Sequence, residues 1–407
     1  MAALLLHHLA LLLLGTVALL ALQSAAQAAP EGGDADQVAL RNADFATGLY
    51  RKLAGGTDGN VVVSPLALTQ ALAALAEGAA GQTQELLWGA LKLSPLQMAD
   101  APDRLPQLLQ AVNENVLQAS LRYDEVAALF AAPSVEVEAA YKERAKQFFR
   151  TEVQSVDFAN AMAATTAIND HVRAKTGEKI RDVVSTSLDA KTQLLLISAA
   201  FFKGQWTLPF NASFSQEERF YVDKYHIAQV QMMFRSDKFH LAYDAALKVG
   251  VLKLPCSGGA AMLVIFPDED VDVTSVDDEI FTNTYRDWVK KLKRTRLEVQ
   301  IPRFSLKQSY SLKNTLASLG MPDAFQGNAD LSTLSKTAGL KLDEVQMTTA
   351  IEVDETGSLP DSASPPDPLS GSLPPRLTIN RPFVFLVYHE ASLNLLLMGR
   401  VVDPTKN

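Results

Sequence analysis

Apolar residues in the first part of the chain recur at helical spacing, and further on they run or alternate as strands do. Near Asp44 the helical period begins, with Phe45, Leu49 and Leu53 on one face. A second predicted helix is punctuated at both ends: Ser64 can cap it, Pro65 suits its first turn and Gly78 can end it. The same spacing predicts helices over 84–91, 105–117, 135–149 and 161–175. From about residue 190 the pattern turns mostly to strands. Residues 192–202 are an apolar run, and Leu297-Glu298-Val299-Gln300-Ile301 alternates as a half-buried strand does. Residues 249–254 and 261–266 flank Cys256-Ser257-Gly258-Gly259 and predict a hairpin, and 383–388 with 395–402 predict another around 389–394. A helix over 285–293 is interspersed. Helices first, sheets later and no internal repeat give an α+β class.

One segment obeys neither period. Between Gly357 and Pro375 stand Pro360, Pro365, Pro366, Pro368, Pro374 and Pro375, with five serines among them. Proline lacks the backbone donor and fixes φ, so neither a helix nor a central strand is available there. An interdomain linker does not fit the context. Patterned strands stop just before the segment and resume just after it, and the residues from Arg376 to Asn407 are too few for a second domain. The segment reads as a long loop held outside a patterned body.

Composition narrows the possibilities. With 407 residues, 48% hydrophobic and 20% charged, the chain can bury a sizeable core as one large domain or two ordinary ones. A net charge of −9 argues against a dominant polyanion-binding face, which needs cations. Residues 1–28 read as a secretory signal peptide: Leu9 to Leu22 is an apolar run of h-region length and Ala26-Gln27-Ala28 fits a cleavage site, although His7 and His8 stand where Lys or Arg is usual. Residues 29–40, rich in Gly and Asp, are expected to be disordered, with the folded domain over 41–407. A single cysteine, Cys256, excludes an intramolecular disulfide and reads as a turn residue packed at a sheet edge. Asn211-Ala212-Ser213 is an N-glycosylation sequon, plausible for a secreted chain. An enzyme is not expected: beyond residue 28 the histidines are His171, His226, His240 and His389, and there is no HExxH, GxSxG or phosphate loop. No cofactor or metal site is suggested.

The strands flanking the loop have recognisable sequences. Ile351-Glu352-Val353-Asp354-Glu355-Thr356-Gly357-Ser358 resembles the proximal hinge of a serpin, and Asn380-Arg381-Pro382-Phe383-Val384-Phe385 with Met398-Gly399-Arg400-Val401-Val402-Asp403-Pro404 resembles the family's C-terminal signature. Asn60-Val61-Val62-Val63-Ser64-Pro65, Thr176-Gly177-Glu178-Lys179-Ile180, Phe201-Phe202-Lys203-Gly204-Gln205-Trp206 and Ile301-Pro302-Arg303-Phe304 agree, in family order. Within the antitrypsin-like clade the similarity runs to its protein Z-dependent branch, carried by 220–225, 251–255 and 351–355.

The resemblance implies a single domain of three β-sheets, about eight or nine helices and an exposed reactive-centre loop, here about 357–375. It implies a monomer that meets an extracellular serine protease. In the family mechanism the protease cleaves the loop to an acyl-enzyme, and the loop then inserts as a new central strand into the large sheet, distorting the enzyme before it deacylates. The expected scissile bond is Gly371-Ser372. The expected hinge is Glu355, Thr356, Gly357, Ser358, Leu359 and Pro360. At the top of the sheet, Glu355 and Arg303 are expected to form the family's salt bridge with Trp206 packed nearby.

Two departures weaken that expectation. After Ser358 the family usually runs on in alanines, whereas Leu359-Pro360-Asp361 stands here, with Pro365, Pro366 and Pro368 farther along the segment that must become a strand. Each lost hydrogen bond costs about 1 kcal/mol net and each stranded acceptor about 1–3 more, so four prolines could cost about 10 kcal/mol. Where the sheet must open, beside Ser64, inhibitory relatives usually have Ser, Asn and often His at the positions of Ala67, Ser198 and Met347. A serpin with lost or altered inhibition, acting as a binding or carrier protein or a substrate, is therefore expected, with a working serine protease inhibitor as the alternative.

Arg286, Lys290, Lys291, Lys293, Arg294 and Arg296 form the densest basic cluster and read as a solvated helix face and loop. The stretch 105–125, where heparin-binding relatives gather cations, holds only Arg122, with Arg104 just outside, so no heparin site is expected there. Asp277, Asp278 and Glu279 are expected to begin a helix, where acids favour the dipole's positive end. The resemblance also implies that an acid at Asp278 can belong to a docking face for a protein Z-like cofactor.

Overall fold

The computed structural model describes residues 33–98, 100–117, 121–184, 188–357 and 374–407. Its first helix, α1 (Asp34–Ala54), begins well before Asp44. Asp34 and Asp36 lie in its first turn, where acids oppose the helix dipole, and Val38 and Ala39 are already buried. The expectation of disorder over 29–40 is thus corrected from Asp34 onward. After β1 (Val61–Val63) comes α2 (Pro65–Gly78), as its punctuation suggests. Gly78 serves packing and not a left-handed cap: a Cβ there would lie 2.8 Å from the Tyr141 ring and 2.9 Å from Leu334.

Next come α3 (Gly81–Ala90) and α4 (Arg104–Leu117), then a strand that periodicity did not reveal, β2 (Arg122–Ala131). Its last six residues are all buried, so no alternation marks them. The helix expected over 135–149 is shorter, α5 (Ala139–Phe149), because Val137 is extended and bridges Ser335. Then follow β3 (Thr151–Ser155), α6 (Ala161–Lys175), β4 (Leu194–Lys203), β5 (Gln216–Tyr221), β6 (Ile227–Asp244), β7 (Val249–Pro255) and β8 (Ala260–Pro267).

Two expectations fail over the next residues. The acids 277–279 do not begin a helix. Asp277 is the last residue of α7 (Val273–Asp277), Asp278 is its C-cap and Glu279 lies beyond; the helix N-terminus is capped instead by the Asp272 carboxylate accepting from the Thr274 N–H at 2.8 Å. Helix α8 (Thr282–Lys291) stops short of Lys293, which opens β9 (Lys293–Pro302). Arg286, Lys290 and Lys291 therefore lie on a helix, but Lys293, Arg294 and Arg296 lie on a strand and not a loop. The chain continues with β10 (Phe304–Ser311), α9 (Lys313–Ser318), β11 (Glu344–Val353), β12 (Arg376–Thr378), β13 (Phe383–His389) and β14 (Asn394–Val401).

The strands form two hydrogen-bonded sheets. A five-stranded sheet has the order β10-β11-β4-β2-β3, with β11 and β4 parallel at its centre. Val126, Ala128, Phe130, Ile197 and Phe201 on one face pack with Ile168 and Val172 of α6, while α1, α2 and their neighbours contribute to the main core on the other. A nine-stranded sheet runs β1-β14-β13-β8-β7-β6-β9-β12, with β5 paired to β6. The third sheet implied by the resemblance is continuous with the second, because the 18-residue β6 pairs with β5 and β9 along one part and with β7 along the other. The first strand and the last are neighbours: β1 pairs antiparallel with β14, placing Val61 opposite Arg400.

Candidate functional site

The loop leaves the body from the C-terminal end of β11, and its root is held by several groups. The Arg303 guanidinium donates to both Glu355 oxygens, from Nη2 at 2.7 Å to each and from Nε to Oε2 at 3.1 Å. Ser215 Oγ donates to Glu355 Oε1 at 2.5 Å. Trp206 closes the other side: its Nε1 donates to the Asp354 carbonyl at 2.6 Å and its backbone N–H to the Thr356 carbonyl at 3.0 Å. Lys203 pairs with Asp354 at 2.8 Å. A Cβ on Gly357 would come within 2.4 Å of the Trp206 carbonyl oxygen and 2.9 Å of Pro209, so this close approach admits glycine alone without a shift.

Sequence reading brought Glu355, Arg303 and Trp206 together; the structure joins the first two in a salt bridge and sets Trp206 against the carbonyls on either side of Glu355. Ser215 and Lys203 were missed as members of the cluster, because neither stands near the hinge in sequence. Ser358, Leu359, Pro360, Gly371 and Ser372 lie outside the described residues.

Glu355 has a pH consequence. Burial alone would raise its pKa, but hydrogen bonds from Arg303 and Ser215 together with the Arg303 charge hold it below the usual carboxylate value. A depressed folded-state pKa gives stabilisation that is complete above the unfolded value of about 4.3 and is lost as pH falls through the depressed one. Arg303 is nearly half exposed, so we expect Glu355→Gln to cost only about 1–2 kcal/mol at neutral pH. Denaturant midpoints at pH 7 and below pH 4 should show the gap between wild type and variant closing in acid. A constant gap would contradict the assignment.

The centre of the sheet is a closed seam. β11 and β4 pair in parallel from Glu344 with Leu195 to Glu352 with Lys203, placing Met347 directly beside Ser198. Both are fully buried, and Ser198 Oγ has no hydrogen-bond partner among the described residues. Beneath, Ser64 does not cap α2 with its side chain. Its Oγ contacts Tyr123 Oη at 2.8 Å and donates to the Leu396 carbonyl at 3.0 Å. Ala67, one turn further along α2, is buried in the same cluster as Tyr123. Tyr123 was missed because its strand was. The thioether of Met347 offers the neighbouring Ser198 hydroxyl no strong partner, and a buried hydroxyl left unpaired costs about 1–3 kcal/mol.

The remaining candidates stand apart. Asp278 is exposed just after α7. Asn211 is half-buried, and its side chain accepts from the Ser213 N–H at 2.8 Å at the turn Ala212–Phe214. Cys256 is buried beside Trp206, and burial pushes its thiol up to about 12, so it is unreactive at neutral pH. Among the described residues no group of three or more His, Cys, Asp or Glu could hold a metal ion, and no helix is long and apolar enough to cross a membrane.

Comparison with known proteins agrees with this geometry. The family model described as serpin (serine protease inhibitor) matches residues 40–404. The mouse protein Z-dependent protease inhibitor is 32% identical over 371 residues, 91% of this chain and 82% of that protein. Its crystal structure superimposes with a TM-score of 0.84, covering 91% of this chain and 98% of that one. Pig thyroxine-binding globulin is 31% identical over 90% of this chain and 89% of its own length. Human thyroxine-binding globulin, at 28% identity, superimposes with a TM-score of 0.83 over 91% of this chain and all of that one. With a family model spanning nearly all of the described chain and a solved relative of the same architecture, this protein belongs to the serpin family.

Proposed function

We propose that this chain is a secreted serpin whose reactive-centre loop does not insert after cleavage, so that it meets extracellular serine proteases as a substrate, or serves as a binding or carrier protein, and does not trap them. The observation that carries the reading is the run Pro360, Pro365, Pro366 and Pro368. An inserted loop must enter between β4 and β11 and hydrogen-bond to both. Each proline withholds a ladder donor from one neighbour and fixes φ against the twist of the strand. The unpaired Ser198 hydroxyl beside Met347 at the same seam supports the reading, since neither side chain gives the other a hydrogen bond to exchange on opening. Gly371 has no side chain to fill a protease specificity pocket.

Chymotrypsin-, elastase- and trypsin-like serine proteases test this. We expect cleavage within the loop, full retention of protease activity and no SDS-stable covalent complex. A stoichiometric loss of activity with such a complex overturns the reading. That outcome would support a working inhibitor, the second reading, which the intact Arg303–Glu355 clamp favours. The exposed Asp278 is the position at which a protein Z-like cofactor would dock, and Asn211 is the candidate glycosylation site.

A further inference from the structure

A second site lies where the two parts of the nine-stranded sheet meet. At that point β6 pairs with strands on both sides, and the register sets His240 opposite both Lys253 of β7 and Arg294 of β9. Two residues back, Lys238 stands opposite Arg296. Opposed residues on antiparallel strands project from the same face with their Cβ atoms about 5 Å apart, and like charges there repel. Five permanent cations surround this point once Arg235 is included. Among the described residues Glu390 pairs with Lys253, Asp237 pairs with Arg235, and Arg296 is engaged as well. The side chains of Lys238 and Arg294 make no hydrogen bond or ion pair among the described residues, and both are exposed. A chain with net charge −9 thus gathers cations on one small face, with the Lys238 ammonium and the Arg294 guanidinium open to solvent.

The same face opens on a cavity of about 230 Å³. Its lining includes the buried Trp206, Phe210, Phe239 and Leu254, and the exposed Leu208 is among its residues. Apolar walls beside clustered cations fit neither a fully polar ion nor a neutral oil. We propose that this cavity binds an amphipathic organic anion, a carboxylate, sulfonate or sulfate on an apolar body of about ten carbons, with the anionic group held by Lys238 and Arg294. The body lies against the Trp206 ring, and Trp206 is the residue whose peptide N–H and indole N–H hold the Thr356 and Asp354 carbonyls at the loop's root. Occupancy of the cavity therefore bears on the fastening of the loop. The site stands whether or not the loop inserts, so its failure leaves the reading of the loop untouched.

Titration calorimetry of the full secreted chain with 2-naphthoate and its neutral isostere 2-naphthamide tests the proposal. The carboxylate is expected to bind at least about tenfold more tightly than the amide and to change Trp emission. In the double variant Lys238→Gln/Arg294→Gln the difference should fall below about threefold, with an unchanged unfolding midpoint, since both side chains are exposed. Equal affinity of the two probes, no binding of either, or a heparin oligosaccharide that binds this face without competing with naphthoate would overturn it.

Discussion

Replacing Pro360, Pro365, Pro366 and Pro368 together with threonine or alanine should convert cleavage of the loop from a thermally neutral event into a strongly stabilising one. In the wild type we expect the cleaved protein to melt within about 2 °C of the intact one, because the prolines withhold the ladder bonds that insertion would form. The substitutions restore four backbone donors and relieve the fixed φ at each position. Recovering about 1 kcal/mol for each bond and about 1–3 for each acceptor no longer stranded amounts to about 10 kcal/mol. For a chain of this size that corresponds to a rise of at least about 10 °C on cleavage. Scanning calorimetry before and after cleavage reads both quantities. A large rise in the wild type itself would show that the prolines are tolerated and sink the proposed function.

The second large effect lies far from the loop. Asp277 and Arg400 form a buried ion pair, at about 5% and 1% side-chain exposure, with Tyr50 donating to the Asp277 carboxylate at 2.5 Å. Arg400 also donates to the carbonyls of Thr57 and Gly59, which fixes the turn leading into β1. Burial pushes the Asp277 carboxyl upward more strongly than Tyr50 and Arg400 draw it down, a measure of how costly either charge is alone. Asp277→Ala leaves the Arg400 guanidinium buried without its carboxylate and should cost about 3–5 kcal/mol by denaturant titration. The double change Asp277→Leu/Arg400→Met should recover much of that loss, since it leaves no charge behind. A single variant within about 1 kcal/mol of wild type would mean that water reaches the guanidinium.

How much of this was legible in the sequence depended on which physical signal each element carries. Helix α6 spans the range that its periodicity predicts, and Asn160 caps it, accepting from the Ala163 N–H at 3.2 Å. The two hairpins were legible from apolar runs interrupted by turn residues. Strand β2 was not, because it is buried on both faces and half of its second part is alanine, which favours helix as readily as strand. The start of α1 was hidden because acids near a glycine pair read as solvent-exposed coil, and their role emerges only with Arg104 paired to Asp34 at 2.8 Å. At the candidate site, Glu355, Arg303 and Trp206 were found through resemblance. Ser215 and the Lys253–His240–Arg294 row were invisible, since they exist only once strand register is known.

The pairing of β1 with β14 bears on how the protein is made. Val61 to Val63 are synthesised more than three hundred residues before their hydrogen-bond partners, Met398 to Arg400. Until then β1 has an unsatisfied edge, β13 lacks its neighbour, and the valines now buried against β14 are open to other chains. Pairings so distant in sequence form slowly and leave apolar strands exposed meanwhile. A ribosome-bound chain halted before Asn394 would hold every described α-helix and eight of the nine strands of this sheet, but not β14, which joins β1 to β13. Dependence on chaperones in the compartment of synthesis, and sensitivity to truncation before Asn394, are therefore written into the strand order itself.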